Sequence, residues 1–180
     1  MKRLTIIGAG NSLRGFDFNK IKGKIMVLSK VAFNVPRFDY VCALDEKWVK
    51  ILNNYYGKKL HTTYKIKGSK VWKRVNTTDL VKGYVGTFES SLCFALNVAW
   101  NMKFKEIYVL GADNLIKDDY LYFWDNEKKP ELCKNYNENL FKKIDNYMEI
   151  ISKQMNNKVY FVESEIKHFE NLTMQEYEKH

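Results

Sequence analysis

The chain has 180 residues, 46% of them hydrophobic and only 2 of them proline, which excludes a disordered protein and predicts one folded domain over residues 1–180. No apolar run approaches the roughly 20 residues that cross a bilayer, no cationic leader precedes the first strand, and the three scattered cysteines suggest neither a disulfide framework nor a zinc site, so a cytoplasmic protein without a membrane span is expected. A formal net charge of +9 favours anionic partners: nucleotides, nucleic acid, acidic glycans or membrane surfaces.

Leu4 to Ile7 is an apolar, β-branched run that stops abruptly in Gly8-Ala9-Gly10-Asn11-Ser12. This is the pattern of a buried first strand and a phosphate-facing turn. Glycine permits positive φ and a close approach to a ligand, while Asn11 and Ser12 offer short polar side chains. The free N–H groups of a following helical turn would attract a phosphate. The fingerprint is incomplete, because Leu13 stands where a dinucleotide motif has its third glycine and no Gly-Lys-Ser/Thr follows. A tight strand-to-helix turn without a ligand would use the same residues.

Lys24 to Ser29 reads as a second buried strand, followed by Lys30 and Asn34 at the end where open α/β sheets keep their ligands. Asp39 to Asp45 reads as a third strand containing Cys42, a small core residue like Cys93. Asp45 is expected to cap the helix Glu46–Tyr56 rather than to touch a ribose, with Trp48, Val49 and Leu52 on its inner face and Gly57 as its stop. Over residues 58–85, Leu60, Thr62, Tyr64 and Ile66 share one parity among lysines, and Gly68-Ser69 turns into Lys70 to Val75. The expectation there is a small basic β-hairpin, suited to a nucleic-acid backbone and stacked bases or simply a solvated face.

Ser90 or Ser91 is expected as the N-cap of a helix over Leu92–Asn101, whose Leu92, Ala95, Leu96 and Ala99 form a stripe for packing on a sheet. Lys105 to Leu110 is a clear strand that ends in Gly111-Ala112-Asp113-Asn114, a second glycine-opened polar loop. Residues 115–135 are mixed and loop-like, with Asp118, Asp119, Tyr120, Tyr122, Trp124 and Asp125. Asn137–Met155 is a long amphipathic helix, Lys158–Val162 the last strand and Leu172–His180 a terminal helix. Short apolar strands alternating with helices predict a three-layer Rossmann-like α/β domain with a mostly parallel central sheet. The carboxyl ends after Ile7 and Leu110 should then meet at one crevice, where a ligand would sit. Asp113, with Asp118 or Asp119, could act as a base or hold Mg²⁺, or could be a turn residue; no tight cluster calls for a metal.

The block Ile6-Ile7-Gly8-Ala9-Gly10-Asn11-Ser12-Leu13-Arg14-Gly15-Phe16, together with Ser90-Ser91-Leu92-Cys93-Phe94 through Lys105-Glu106-Ile107-Tyr108-Val109-Leu110-Gly111-Ala112-Asp113, resembles bacterial sialyltransferases of glycosyltransferase family 42. The resemblance covers residues 3–34 and 86–125. The same blocks recur in a broader group that includes phage proteins and relatives of archaeal 6-hydroxymethylpterin diphosphokinase. The resemblance implies a GT-A-type fold and a metal-independent transferase with a CMP-sugar-like donor. It places Gly8, Gly10, Ser12, Ser90, Ser91, Gly111 and Asp113 around the nucleotide, with Asn11 in the same loop. Lys30 falls near a family asparagine that contacts the nucleotide, and Tyr120 and Tyr122 lie near tyrosines that bind the departing phosphate. The family's general base is a lid histidine, whereas residues 115–167 here contain none and His168 follows the last expected strand.

The leading expectation is a nucleotide-dependent transferase of glycosyltransferase type, with Asp113, Tyr120 and Tyr122 in its catalytic machinery and Asp113 as a ribose contact. Its partners would be a nucleotide or nucleotide sugar and an anionic acceptor, either glycan or nucleic acid. The alternatives are a non-catalytic nucleotide- or nucleic-acid-binding module of the same fold, a diphosphokinase-like enzyme, or a structural role.

Overall fold

The structure, a computed structural model, describes residues 2–86, 90–112, 122–128 and 138–180, with side chains from 142 onward in the last segment. The described strands are β1 (Arg3–Ile7), β2 (Lys24–Leu28), β3 (Tyr40–Cys42), β4 (Leu60–Thr62), β5 (Lys70–Val71), β6 (Glu106–Leu110), β7 (Lys158–Val162) and β8 (Glu170–Leu172). They form one sheet of 8 strands in the order β5-β4-β3-β2-β1-β6-β7-β8. Every described pair is parallel, with Ile7 opposite Val27 on one side and Leu110 on the other.

Parallel strands need both faces covered, and their side chains divide accordingly. Leu4, Ile6, Met26, Ile107, Val109 and Phe161 point to the face covered by helices α2 (Ser91–Asn101) and α3 (Glu138–Gln154), where Met148 and Ile151 meet them. Ile7, Ile25, Val27, Tyr108, Leu110 and Val162 point to the face covered by α1 (Glu46–Tyr56) and the terminal helix α4 (Met174–Lys179), through Val49, Leu52 and Tyr177. This is the three-layer Rossmann-like arrangement that the sequence predicts. Helix α2 is buried at every position from Leu92 to Ala99, so it is apolar nearly all round. Cys42 and Cys93 are fully buried core residues.

Caps hold α1 and α2 at their expected starts, while α4 begins at Met174 rather than at the expected Leu172, which ends β8. Asp45 Oδ1 accepts from Trp48 N at 3.2 Å to open α1, and Ser90 Oγ accepts from Leu92 N at 3.2 Å to open α2. Thr173 and Glu176 form a reciprocal capping box on α4.

Two expectations are corrected. The basic region is not a hairpin, because β4 and β5 pair in parallel, with His61 opposite Lys70 and Thr62 opposite Val71. The short connection 63–69 can return the chain to the start of a parallel strand because β5 is only 2 residues long. A further parallel bridge joins Arg74 to Val85. Second, Lys158–Val162 is not the last strand, since β8 follows it and pairs with it through Tyr160–Glu170 and Val162–Leu172.

Candidate functional site

The strand order reverses between β1 and β6. From β1 the chain builds outward through β2, β3, β4 and β5, then returns to β1's other side for β6, β7 and β8. Such a switch point leaves a crevice beyond the carboxyl ends of the two adjacent strands, because their following loops depart to opposite faces. Both glycine-opened loops border it.

There the two loops touch backbone to backbone. Gly8 N donates to Leu110 O at 2.8 Å, and Gly10 N donates to Gly111 O at 2.8 Å, carrying the ladder past the strand ends. A Cβ on Gly8 would lie 2.4 Å from Gly111 O. Gly111 has φ +67°, and a Cβ on it would lie 2.6 Å from Leu13 Cδ1 and 2.9 Å from Gly8 O. The expected positive φ in the first loop is therefore corrected. Gly10 is extended at φ −63° and ψ 152°, and the positive-φ glycine of the crevice is Gly111. Gly8 is required by close approach, not by its dihedrals. Nor does a long helix follow the loop. Asn11–Leu13 forms a single 3-10 turn, so no helix dipole of useful size points at a ligand from this side.

The turn after the loop is tied to a distant segment that the sequence did not connect to it. Arg14 Nε donates to Asn11 Oδ1 at 3.1 Å, and its guanidinium donates to Asp125 O at 2.6 Å. Phe123 N donates to Ala9 O at 3.1 Å. The Asp125 carboxylate, buried to 7% exposure, accepts from Tyr122 N at 3.1 Å and folds that segment on itself. Arg14 thus joins the site as an organising residue, and only its place two residues after Ser12 hinted at it.

Lys30 and Tyr122 come together, as neither spacing nor periodicity could show. The Lys30 ammonium lies 3.6 Å from the centre of the Tyr122 ring, which also stacks on Trp124 at 4.9 Å. Both residues are only half-buried, so the contact is worth about 1 kcal/mol, and it holds a positive charge at the end of β2. Lys30 sits in the 3-10 turn Ser29–Phe33, entered through Ser29 at φ +49°. Ser29, Gly111 and Glu163 (φ +52°) directly follow β2, β6 and β7. Three strands therefore leave the sheet through a left-handed residue at this one edge, two of them without glycine's freedom.

Ser90 and Ser91 begin α2. The far end of α2 lies at the amino edge, where Lys2 Nζ donates to Met102 O at 2.9 Å. Its start therefore faces the carboxyl edge that carries the two loops. Burial pushes the Cys93 thiol behind Ser90 up to about 12, so it is protonated and no nucleophile. Beside Ser12 opens a recess of about 430 Å³ lined by Arg14, Asp17, Lys20, Glu163 and Glu178, partly closed by the Lys20–Glu178 ion pair at 2.8 Å.

Gly8, Gly10, Asn11 and Gly111 are thus brought together, and Lys30, Tyr122, Ser90 and Ser91 share their edge of the sheet. Asp113 and Tyr120 lie outside the described residues, as do Asp118 and Asp119. No histidine borders the β1–β6 crevice. His61 is buried in β4, three strands from β1, His168 lies two residues before β8 and pairs with Asp145 at 3.1 Å, and His180 lies against Tyr108 and Tyr160 at the end of α4. Among the described residues no helix is long and apolar enough to cross a membrane, and no group of three or more His, Cys, Asp or Glu could hold a metal.

No family model matches the chain, and no curated protein matches it. Solved structures similar to it include the sialyltransferase CstII from Campylobacter jejuni in complex with the substrate analogue CMP-3FNeuAc, at 16% identity and TM-score 0.47, covering 96% of this chain and 86% of that one. The sialyltransferase CST-II with trisaccharide acceptor and CMP, and a tyrosine-to-phenylalanine variant of it with CMP, are similar over the same shares at 16% identity and TM-score 0.45.

Proposed function

We propose that this chain binds a nucleotide at the carboxyl edge between β1 and β6 and acts as a nucleotide-dependent transferase with a nucleotide-sugar donor. The observation that supports this reading is the reversal of strand order at that point, with the Gly8–Ser12 and Gly111 loops in backbone contact on either side of it. Backbone groups of these loops, with Asn11 and Ser12, would receive the donor's phosphate and ribose. The Lys30 charge and the first turn of α2 at Ser90 and Ser91 would stabilise the phosphate as it departs, and Tyr120 and Tyr122 would hydrogen-bond it. The CMP-like donor and the glycan or nucleic-acid acceptor rest on the sequence resemblance. In such a transfer the acceptor hydroxyl displaces the nucleoside phosphate from the sugar and loses its proton to a base. The second reading, a binding module without catalysis, is favoured by one observation: all three histidines lie away from the β1–β6 crevice.

The two readings separate in one set of measurements. Cytidine nucleotides and CMP-sugars should raise the melting temperature, as any ligand selective for the folded state does. Release of CMP from a CMP-sugar, insensitive to chelator, should accompany it. Stabilisation without turnover would support the binding module, and neither effect would overturn both. Asp113→Asn sharpens the test. As a ribose contact, Asp113 should weaken donor binding by about 1–3 kcal/mol when replaced. As a base it should instead lower turnover by about 10²–10⁴-fold at unchanged donor affinity. We expect the first result.

A further inference from the structure

The opposite edge of the sheet is basic by construction. The strands run parallel, and the central ones start nearly level, with Arg3, Glu106 and Lys158 in register and Lys24 opposite Leu4, so the residues around their starts share one edge. Five of the eight strands begin there on, or one residue after, a lysine or arginine: Arg3 for β1, Lys24 for β2, Lys59 for β4, which donates to Phe38 O just ahead of β3 at 2.9 Å, Lys105 for β6 and Lys158 for β7. Asp39, one carboxylate of this edge, is already engaged by Lys24 at 2.6 Å and by Ile25 N at 2.9 Å.

Within this edge, between the end of α2 and the start of β6, lies a cleft of about 600 Å³. Lys82, Lys103 and Lys105, all exposed, stand around it, and no acidic side chain among the described residues lines it. Two tryptophans line it as well. Trp72 is fixed, its indole N–H donating to His61 Nδ1 at 3.0 Å. Trp100 is half-buried, and its indole makes no hydrogen bond or ring contact with a described residue. Lys2 joins this cleft to the next, lying 4.9 Å from the Phe104 ring on one side and lining, with Arg3, Lys24 and Arg37, a recess of about 400 Å³ on the other.

We propose that the amino edge binds single-stranded nucleic acid, with phosphates along the lysine track and an unpaired base on Trp100. A basic groove combined with an unengaged aromatic face is what sequence-tolerant single-strand binding uses. The cleft's concavity decides against two other anions. A bilayer surface takes up apolar side chains that protrude, whereas these indoles are recessed. A duplex keeps its bases stacked inside, out of reach of an indole in a cleft. The site lies on the far side of the sheet from the β1–β6 crevice and does not depend on the function proposed there.

The test is binding of a short fluorescein-labelled oligothymidine by anisotropy across a salt series. Affinity should fall with salt, by a slope of about 0.7 per phosphate contacted. The Lys103→Glu/Lys105→Glu double variant should lose tenfold or more and show a shallower slope. Trp100→Ala should lose about 5- to 150-fold, while Trp100→Phe, which keeps a ring to stack on, should stay near wild type. Melting temperatures of all variants establish that they are folded. Absence of oligonucleotide binding at low salt would overturn the proposal. So would equal affinity for duplex and single strand, binding to phosphatidylserine vesicles but not to the oligonucleotide, or full affinity in a folded Trp100→Ala variant.

Discussion

Gly8→Val is expected to lower stability by about 3 kcal/mol or more and to remove any nucleotide-induced stabilisation with it. The atom in its way is Gly111 O, 2.4 Å from the new Cβ, and a carbonyl held in a continued ladder cannot rotate aside as a side chain would. Relief requires the β1 and β6 loops to separate, which breaks the Gly8–Leu110 and Gly10–Gly111 hydrogen bonds. Gly111→Ala should behave similarly, combining the left-handed conformation, about 1–2 kcal/mol, with a Cβ 2.6 Å from Leu13 Cδ1. Gly15→Ala is the control. Its φ is +75° but nothing lies within 4 Å, so it should show only the dihedral cost. Urea denaturation of the three variants checks the order, and a Gly8→Val protein as stable as wild type would refute the close-approach account. Gly10 is extended, so a side chain there carries no left-handed cost, and Gly10→Val is expected to obstruct a phosphate while leaving the protein folded.

Acidification from pH 7 to pH 4 is expected to remove about 3 kcal/mol of stability through His61 alone. Burial first, and the nearby Lys70 charge second, push its imidazole down to about 4 from an ordinary 6.5. The folded protein thus keeps His61 neutral in a window where the unfolded chain binds a proton. Its contribution is complete above about 6.5 and is lost as the pH falls toward 4. The geometry gives the same sign. Nδ1 accepts the Trp72 indole N–H at 3.0 Å, and a proton there would set two donors face to face. His61→Gln can still accept from Trp72 and does not titrate, so its stability should stay flat from pH 6.5 to 4.5. Denaturant midpoints at several pH values for both proteins check this. An equal acid slope in the variant would assign the loss elsewhere.

The strands that frame the crevice were legible because they are central. Covered on both faces, Leu4–Ile7 and Ile107–Leu110 are apolar at nearly every position, and each ends in a glycine that the next loop needs. Strand β8 was not legible, since only Leu172 of Glu170-Asn171-Leu172 is buried at the sheet's margin. Alternation over residues 60–66 shows which side chains share a face but carries nothing about the direction of the neighbouring strand, so a parallel pair read as a hairpin. The glycines of the first loop were legible as essential, although for a different reason, since close approach and positive φ select the same residue. The contacts of Lys30 with Tyr122 and of Arg14 with the Asp125 segment link remote parts of the chain. No local pattern encodes such pairs.

The placement of β1 between β2 and β6 has a consequence for the nascent chain. Leu110, the partner of Ile7, is made roughly a hundred residues after it. At about 5–20 residues per second, the first strand waits roughly 5–20 seconds on the ribosome with one edge unpaired. Pairing with β2 comes early, but the centre of the sheet cannot close until the second half of the chain has emerged. Long-range parallel pairing of this kind is intrinsically slow. During that interval this central strand of the finished sheet is an open apolar template, so β1 is where a holdase chaperone would bind the unfinished domain.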